Sequence, residues 1–134
     1  MLILVAALSV VSLARAHDWM RPEFSQLSQY QKKWFEKQKR PGTNNLCCSE
    51  ADFDQVDEEI RYDEKGIRRY WINSDKTRGK WLLVPEQSVI HDANPHGRAL
   101  AWFRWVSDDG GTTSSVPRDD LNVQVFCFMP GPLL

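Results

Sequence analysis

LNVQVFCFM, residues 121–129, has the alternating pattern of a β-strand and carries the last cysteine of the chain. A period of two puts Leu121, Val123, Val125, Cys127 and Met129 on one face of a strand. Asn122, Gln124, Phe126 and Phe128 fall on the other. Cys127 then lies on the more uniformly apolar face, the one that packs inward. The chain has two other cysteines, Cys47 and Cys48, side by side in NLCCSEADF (46–54). What the Cys127 sulfur meets therefore ties the last strand to the middle of the chain.

Working back from that strand, residues 100–106 (LAWFRWV), 80–84 (KWLLV) and 67–72 (IRRYWI) are apolar, β-prone runs bounded by turn residues, and 54–62 is extended in character. Asp63-Glu64-Lys65-Gly66 joins two of these into a hairpin. HDANPHGR (91–98) is a loop, and SDDGGTTSSVPR (107–118) is a long flexible connection. Ahead of the strands, residues 22–39 read as one helix. Pro22 and Glu23 suit its start, Phe24, Leu27, Tyr30 and Trp34 form its stripe with Phe35 beside it, and Pro41-Gly42 stops it. Its lysines fall mostly off the stripe, so packing on the domain is the first reading and a membrane-surface or partner helix the second. The expected fold is α+β: an N-terminal helix packed on a small curled antiparallel β-sheet or barrel of about five strands.

MLILVAALSVVSLARA (1–16) has an apolar run too short to span a bilayer, followed by an A-x-A site at Ala14–Ala16. Residues 1–16 are read as a signal peptide, with an uncleaved anchor as the alternative. Residues 17–134 are read as a single α+β domain, with 17–42 a helical lead-in and 43–134 a β-rich core. The formal charge of −1 gives no basic domain for nucleic acid. No later segment is apolar enough to be transmembrane. The expected location is periplasmic or secreted, where disulfides persist.

Several short motifs occur in order: His17-Asp18-Trp19, CCSEAD (47–52), WLLVP (81–85), Asn94-Pro95-His96-Gly97 and VFCFMPG (125–131). Together the chain resembles a group of small exported proteobacterial proteins with CC-x-E-x-D, N-P-x-G and C-terminal C-[YF]-x-P motifs. The stretch between His17 and Cys47 is longer here than in the short members. The resemblance implies an exported single domain and carries over no catalytic residue.

Three thiols cannot all pair within one molecule. Neighbours in an extended chain point to opposite sides, so one of the doublet can reach Cys127 while the other points away. Cys48 is favoured as the partner because it is nearer to the following strand, with Cys47 as the alternative. Such a link closes a loop of about eighty residues, worth roughly 4 kcal/mol by chain entropy. A vicinal Cys47–Cys48 bridge would strain the intervening peptide. The C-x2-C knuckle of zinc sites and the C-x-x-C of redox proteins are both absent. The spare thiol is either buried and inert or the means of a dimer.

Cleavage after Ala16 would make His17 the new N-terminus, offering copper an amine and a ring nitrogen. His91 or His96 would complete that site. Glu50, Asp52, Asp54, Asp57, Glu58 and Glu59 lack the spacing of a calcium loop and read as a solvated acidic edge. Trp102 and Trp105 lie on opposite faces of one strand. In a single-layer sheet one of those faces would be open, which makes the pair a candidate binding surface. The leading expectation is a non-enzymatic binding or structural protein of the cell envelope, with no cofactor and an envelope or extracellular partner. Copper binding is the alternative.

Overall fold

The computed structural model describes residues 19, 21–106, 112–113 and 123–132. The helical lead-in is broken rather than continuous. Pro22–Phe24 form one 3-10 turn, and α1 runs only over Gln29–Glu36. The break lies at Ser28, whose hydroxyl accepts from the Gln31 amide while the Gln31 side chain accepts from the Ser28 amide. That reciprocal cap starts a new helix there, and S-x-x-Q was its sequence signal. After α1 the chain turns back on itself through a bridge between Lys39 and Leu46. It then enters a single helical turn, α2, at Cys47–Glu50.

The strands are β1 (Asp52–Gln55), β2 (Asp57–Tyr62), β3 (Arg68–Asn73), β4 (Leu82–Leu83), β5 (Leu100–Val106), β6 (Thr112–Thr113) and β7 (Val123–Met129). Among the described residues they form two antiparallel sheets and no closed barrel. In one sheet β5 is central, with β7 on one side and β1 and β6 on the other. The second sheet has the order β2-β3-β4. The run read as extended from 54 to 62 is thus two strands in different sheets, divided at Val56. The Val56 amide still donates to the Ala99 carbonyl at 3.0 Å, one step beyond Gln55↔Leu100 in the β1-β5 register, before the chain passes to the second sheet.

The first sheet is covered on both faces. Phe24, Leu27 and Phe35 of the lead-in and Cys47 of α2 pack on Phe53, Leu100, Trp102, Phe126 and Cys127. On the opposite face, Tyr70 and Ile72 of β3 pack on Ala101, Phe103, Val125 and Phe128. Each of these side chains is removed from water almost entirely, at roughly 25 cal/mol per Å² of apolar surface. The outer edge of β7 is covered by the segment following Pro85. The Ile90 amide donates to the Phe128 carbonyl at 2.7 Å, and the Ser88 hydroxyl to the Val125 carbonyl at 3.1 Å. Covering an edge in this way blocks unwanted strand pairing.

Strand β7 does not alternate strictly. Trp102 stands opposite Cys127 but Phe103 stands opposite Val125, so Phe126 is an extra residue in a β-bulge. The bulge switches the parity of the strand. Val123 and Val125 face the second sheet, whereas Cys127 and Met129 face the lead-in. The expectation that all four share a face is therefore corrected. The shift is what turns the Cys127 sulfur toward the helical side of the molecule.

Candidate functional site

Three places gather the residues that the sequence singled out. The first is the cysteine junction. Cys47, not Cys48, meets Cys127, with an S–S distance of 2.08 Å and Cα atoms 5.9 Å apart. The preference for Cys48 rested on its nearness to the following strand, and the picture of two opposed sulfurs assumed an extended doublet. The backbone there is a helical turn, so Cys47 and Cys48 are rotated about 100° apart rather than opposed. Cys47 opens that turn with its amide bonded to the Gln38 carbonyl at 2.9 Å, and its side chain is wholly buried.

Cys48 is the free thiol, half-buried against the same core. Its Sγ accepts from Trp102 Nε1 at 3.3 Å and lies 3.9 Å from the Phe35 carbonyl. Trp102 is fully buried, and a buried indole N–H needs an acceptor. The second sulfur supplies it. Burial pushes the Cys48 thiol up to about 12, aided by the nearby Glu36 carboxylate and opposed by the Trp102 hydrogen bond. At neutral pH this is a thiol, not a thiolate nucleophile.

The second place is the Asn94–Gly97 loop where it meets the end of β7. Asn94 Oδ1 accepts from the His96 amide at 2.9 Å, while its Nδ2 donates to the carbonyls of Arg98 (2.7 Å) and Pro130 (3.1 Å). One side chain thus joins the N-P-H-G turn to the M-P-G motif. His96 Nε2 lies 2.9 Å from Gln55 Oε1, and its ring packs on Phe24 with centroids 5.4 Å apart. Burial, with Arg98 adding to it, holds the imidazole below its ordinary value, against a smaller opposing pull from Glu23. His91 is exposed, and His17 lies outside the described residues. Among the described residues no three His, Cys, Asp or Glu side chains group as a metal site would.

Beside this loop is a cavity of about 330 Å³ lined by Val56, Glu58, Arg98, Ala99, Gly131 and Pro132. Glu58 Oε1 accepts from the Gly131 amide at 3.0 Å. Its Oε2 is buried without a hydrogen-bond partner among the described residues. Burial raises the Glu58 carboxyl, and the Gly131 hydrogen bond offsets this in part. A Cβ on residue 131 would come within 2.8 Å of Glu58 Oε1 and 3.2 Å of the Ala99 amide nitrogen, so a side chain there would have to displace the Glu58 carboxylate and press on the Ala99 backbone. The reading of 50–59 as a solvated acidic edge is corrected at two positions. Glu58 faces inward, and Asp54 is buried in an ion pair with Arg21 at 2.6 Å. The side chains of Glu50 and Asp52 lie outside the described residues.

The third place is the outer face of the second sheet. Glu59 and Arg61 of β2, Arg69 and Trp71 of β3, and Leu83 of β4 project away from the core. The Arg61 guanidinium lies over Trp71 at 4.5 Å and over Trp81 at 5.7 Å. Trp81 is 37 % exposed and Leu83 50 %. This replaces Trp102 as the exposed aromatic surface. The expectation for Trp102 rested on a single-layer sheet, and the lead-in buries it completely. The Trp105 side chain lies outside the described residues.

No family model, curated protein or solved structure matches this chain. The chemistry of the three places therefore stands on its own residues. The cysteine junction holds two elements together and insulates the remaining thiol. The Asn94 loop and Glu58 anchor the end of β7. Among the described residues no helix is long and apolar enough to cross a membrane, and the disulfide suits an oxidising compartment. The sheet face presents large apolar and cationic groups together at the surface. Sequence reasoning missed it because Arg61, Trp71 and the Trp81–Leu83 run come from three separate segments and meet only through strand register.

Proposed function

We propose that this chain is an exported, disulfide-stapled domain that acts by binding or structural support at the cell envelope rather than by catalysis. The observation that carries this reading is the outer face of β2-β3-β4, where Arg61 bridges Trp71 and Trp81 beside the exposed Leu83. Arg and Trp are the side chains most often found at the energetic centres of interfaces. The groups best suited to chemistry are engaged in scaffolding. Cys47 is bonded to Cys127, Cys48 is held as a thiol under Trp102, and His96 is held by Gln55 and Phe24. The apolar leader and the A-x-A site at Ala14–Ala16 support export, and a disulfide fits that destination.

The test is photo-crosslinking in the intact cells that make the protein. A photoreactive residue is placed in turn at Trp81, at Leu83 and, as a control, at Lys65 in the β2-β3 turn. The reading expects one discrete adduct from 81 and 83, absent at 65 and lost when Arg61→Glu is added. Equal labelling from all three positions, or none from any, would overturn it. Recovery of the chain only from the cytoplasm with three free thiols would overturn the export half.

A further inference from the structure

The charges of this chain are not evenly spread. Between residues 29 and 40 lie five cations and one anion, in a chain whose formal charge is −1. The structure shows how these cations are used. Arg40 is stacked over Phe126 at 5.0 Å, and Lys32 is half-buried. Lys33, Lys37 and Lys39 are exposed and carry no ion pair among the described residues. The one acid on the helix, Glu36, accepts a hydrogen bond from Trp19 Nε1 at 2.9 Å.

Helix spacing puts Tyr30, Lys33 and Lys37 on one face, opposite the buried Phe35. Tyr30 is 78 % exposed, so the ridge pairs an open aromatic ring with unpaired ammonium groups. Lysines at a helix C-terminus favour the helix dipole, which accounts for Lys37. Lys33, in the last turn of α1, shares that effect, but it does not account for Lys39 beyond the helix or for the exposed ring of Tyr30 beside the lysines. An aromatic ring beside cations suits a headgroup layer, where the ring sits at the boundary and the ammonium groups meet lipid phosphates.

We infer that the Tyr30–Lys33–Lys37 face of α1, extended by Lys39, docks the protein onto an anionic phospholipid bilayer. The contact is peripheral: the short helix lies against the headgroups and its opposite face stays packed on the first sheet. It is independent of the β2-β3-β4 face, which is left free to meet a partner. Three lysines near a charged surface strengthen binding by on the order of a hundredfold, an attraction that salt screens.

The experiment uses the natively processed protein and sedimentation with vesicles of phosphatidylglycerol and phosphatidylcholine, compared with phosphatidylcholine alone. Partition onto the anionic vesicles should be at least roughly tenfold higher and should fall in high salt. The variant K33E/K37E/K39E should lose this preference while keeping the wild-type melting curve. A control with the same charge change elsewhere, K65E/R78E/K80E, should keep the preference within about twofold. Equal loss in both variants would mean that net charge alone acts, which overturns the assignment to α1. Equal binding to both vesicle types would overturn it too. Binding to heparin or nucleic acid with none to anionic vesicles would also overturn it, in favour of a polyanion.

Discussion

Reducing the Cys47–Cys127 bond removes a cross-link between residues 80 apart in sequence. The chain-entropy relation assigns about 4.5 kcal/mol to a loop of that length at 25 °C. Domains are stable by only about 5–15 kcal/mol, so the reduced protein should be marginal. With a urea dependence of roughly 1.5–2 kcal/mol per M, the midpoint should fall by about 2–3 M. The dependence itself should steepen, because the reduced unfolded chain is more expanded. C47A/C127A should cost about 1–2 kcal/mol beyond reduction, since it also deletes two sulfurs from a fully buried cluster. The assay is urea unfolding followed by tryptophan fluorescence on oxidised, reduced and C47A/C127A protein. If the oxidised and reduced forms unfold within about 1 kcal/mol of each other, the link is not what holds the lead-in to β7.

Other expectations follow from the same contacts. Cys48 should react with iodoacetamide at pH 8 on the order of a hundredfold more slowly in the folded protein than in urea, because its thiol is pushed up to about 12. Cys48→Ala should cost about 1–2 kcal/mol in urea unfolding by stranding the Trp102 indole N–H. Gly131→Ala should destabilise by about 1–3 kcal/mol, because its methyl group meets Glu58 and the Ala99 backbone, and thermal melting reads this directly. Glu58 has a raised carboxyl, so the folded state holds its proton more tightly than the unfolded state does. Its contribution is fully present below the ordinary glutamate value and is lost as pH rises from there through the folded value. Glu58→Gln should remove that part of the slope in unfolding free energies measured from pH 4 upward.

Much of the β-framework was legible because it rests on local chemistry. Residues 100–106 are bounded by the 91–98 loop, and that strand appears where the pattern puts it. The hairpin turn at 63–66 also forms, with Asp63 Oδ1 accepting from the amides of Lys65 and Ile67. The departures come from longer-range causes. The bulge at Phe126 has no local signal in LNVQVFCFM, yet it alone decides which way Cys127 points. Ser28-x-x-Gln31 was a local signal, but the continuous aromatic stripe on either side of it masked the break. The burial of Trp102 and the inward turn of Glu58 follow from layers that cover the strands from both sides. Those layers come from segments far apart in sequence.

The candidate site shows the same division. A doubled cysteine and a late third cysteine announced a staple, but the choice between Cys47 and Cys48 turned on one helical turn. The role of the second sulfur needed the position of the Trp102 indole, 54 residues away. The Arg61–Trp71–Trp81 face depends on register between β2 and β3 and on the entry to β4. No composition or spacing argument brings those three together. The basic ridge was visible as a run of lysines, but which of them remain exposed and unpaired depends on the packing of α1.

The most direct test of the account is the disulfide map of the exported protein. It is alkylated without reduction, digested, and fragmented between residues 47 and 48 so that the adjacent sulfurs are told apart. The expected map links Cys47 to Cys127 and leaves a single unlinked thiol at Cys48, which is alkylated only once the chain is unfolded. A link through Cys48, or three alkylated cysteines, would contradict it.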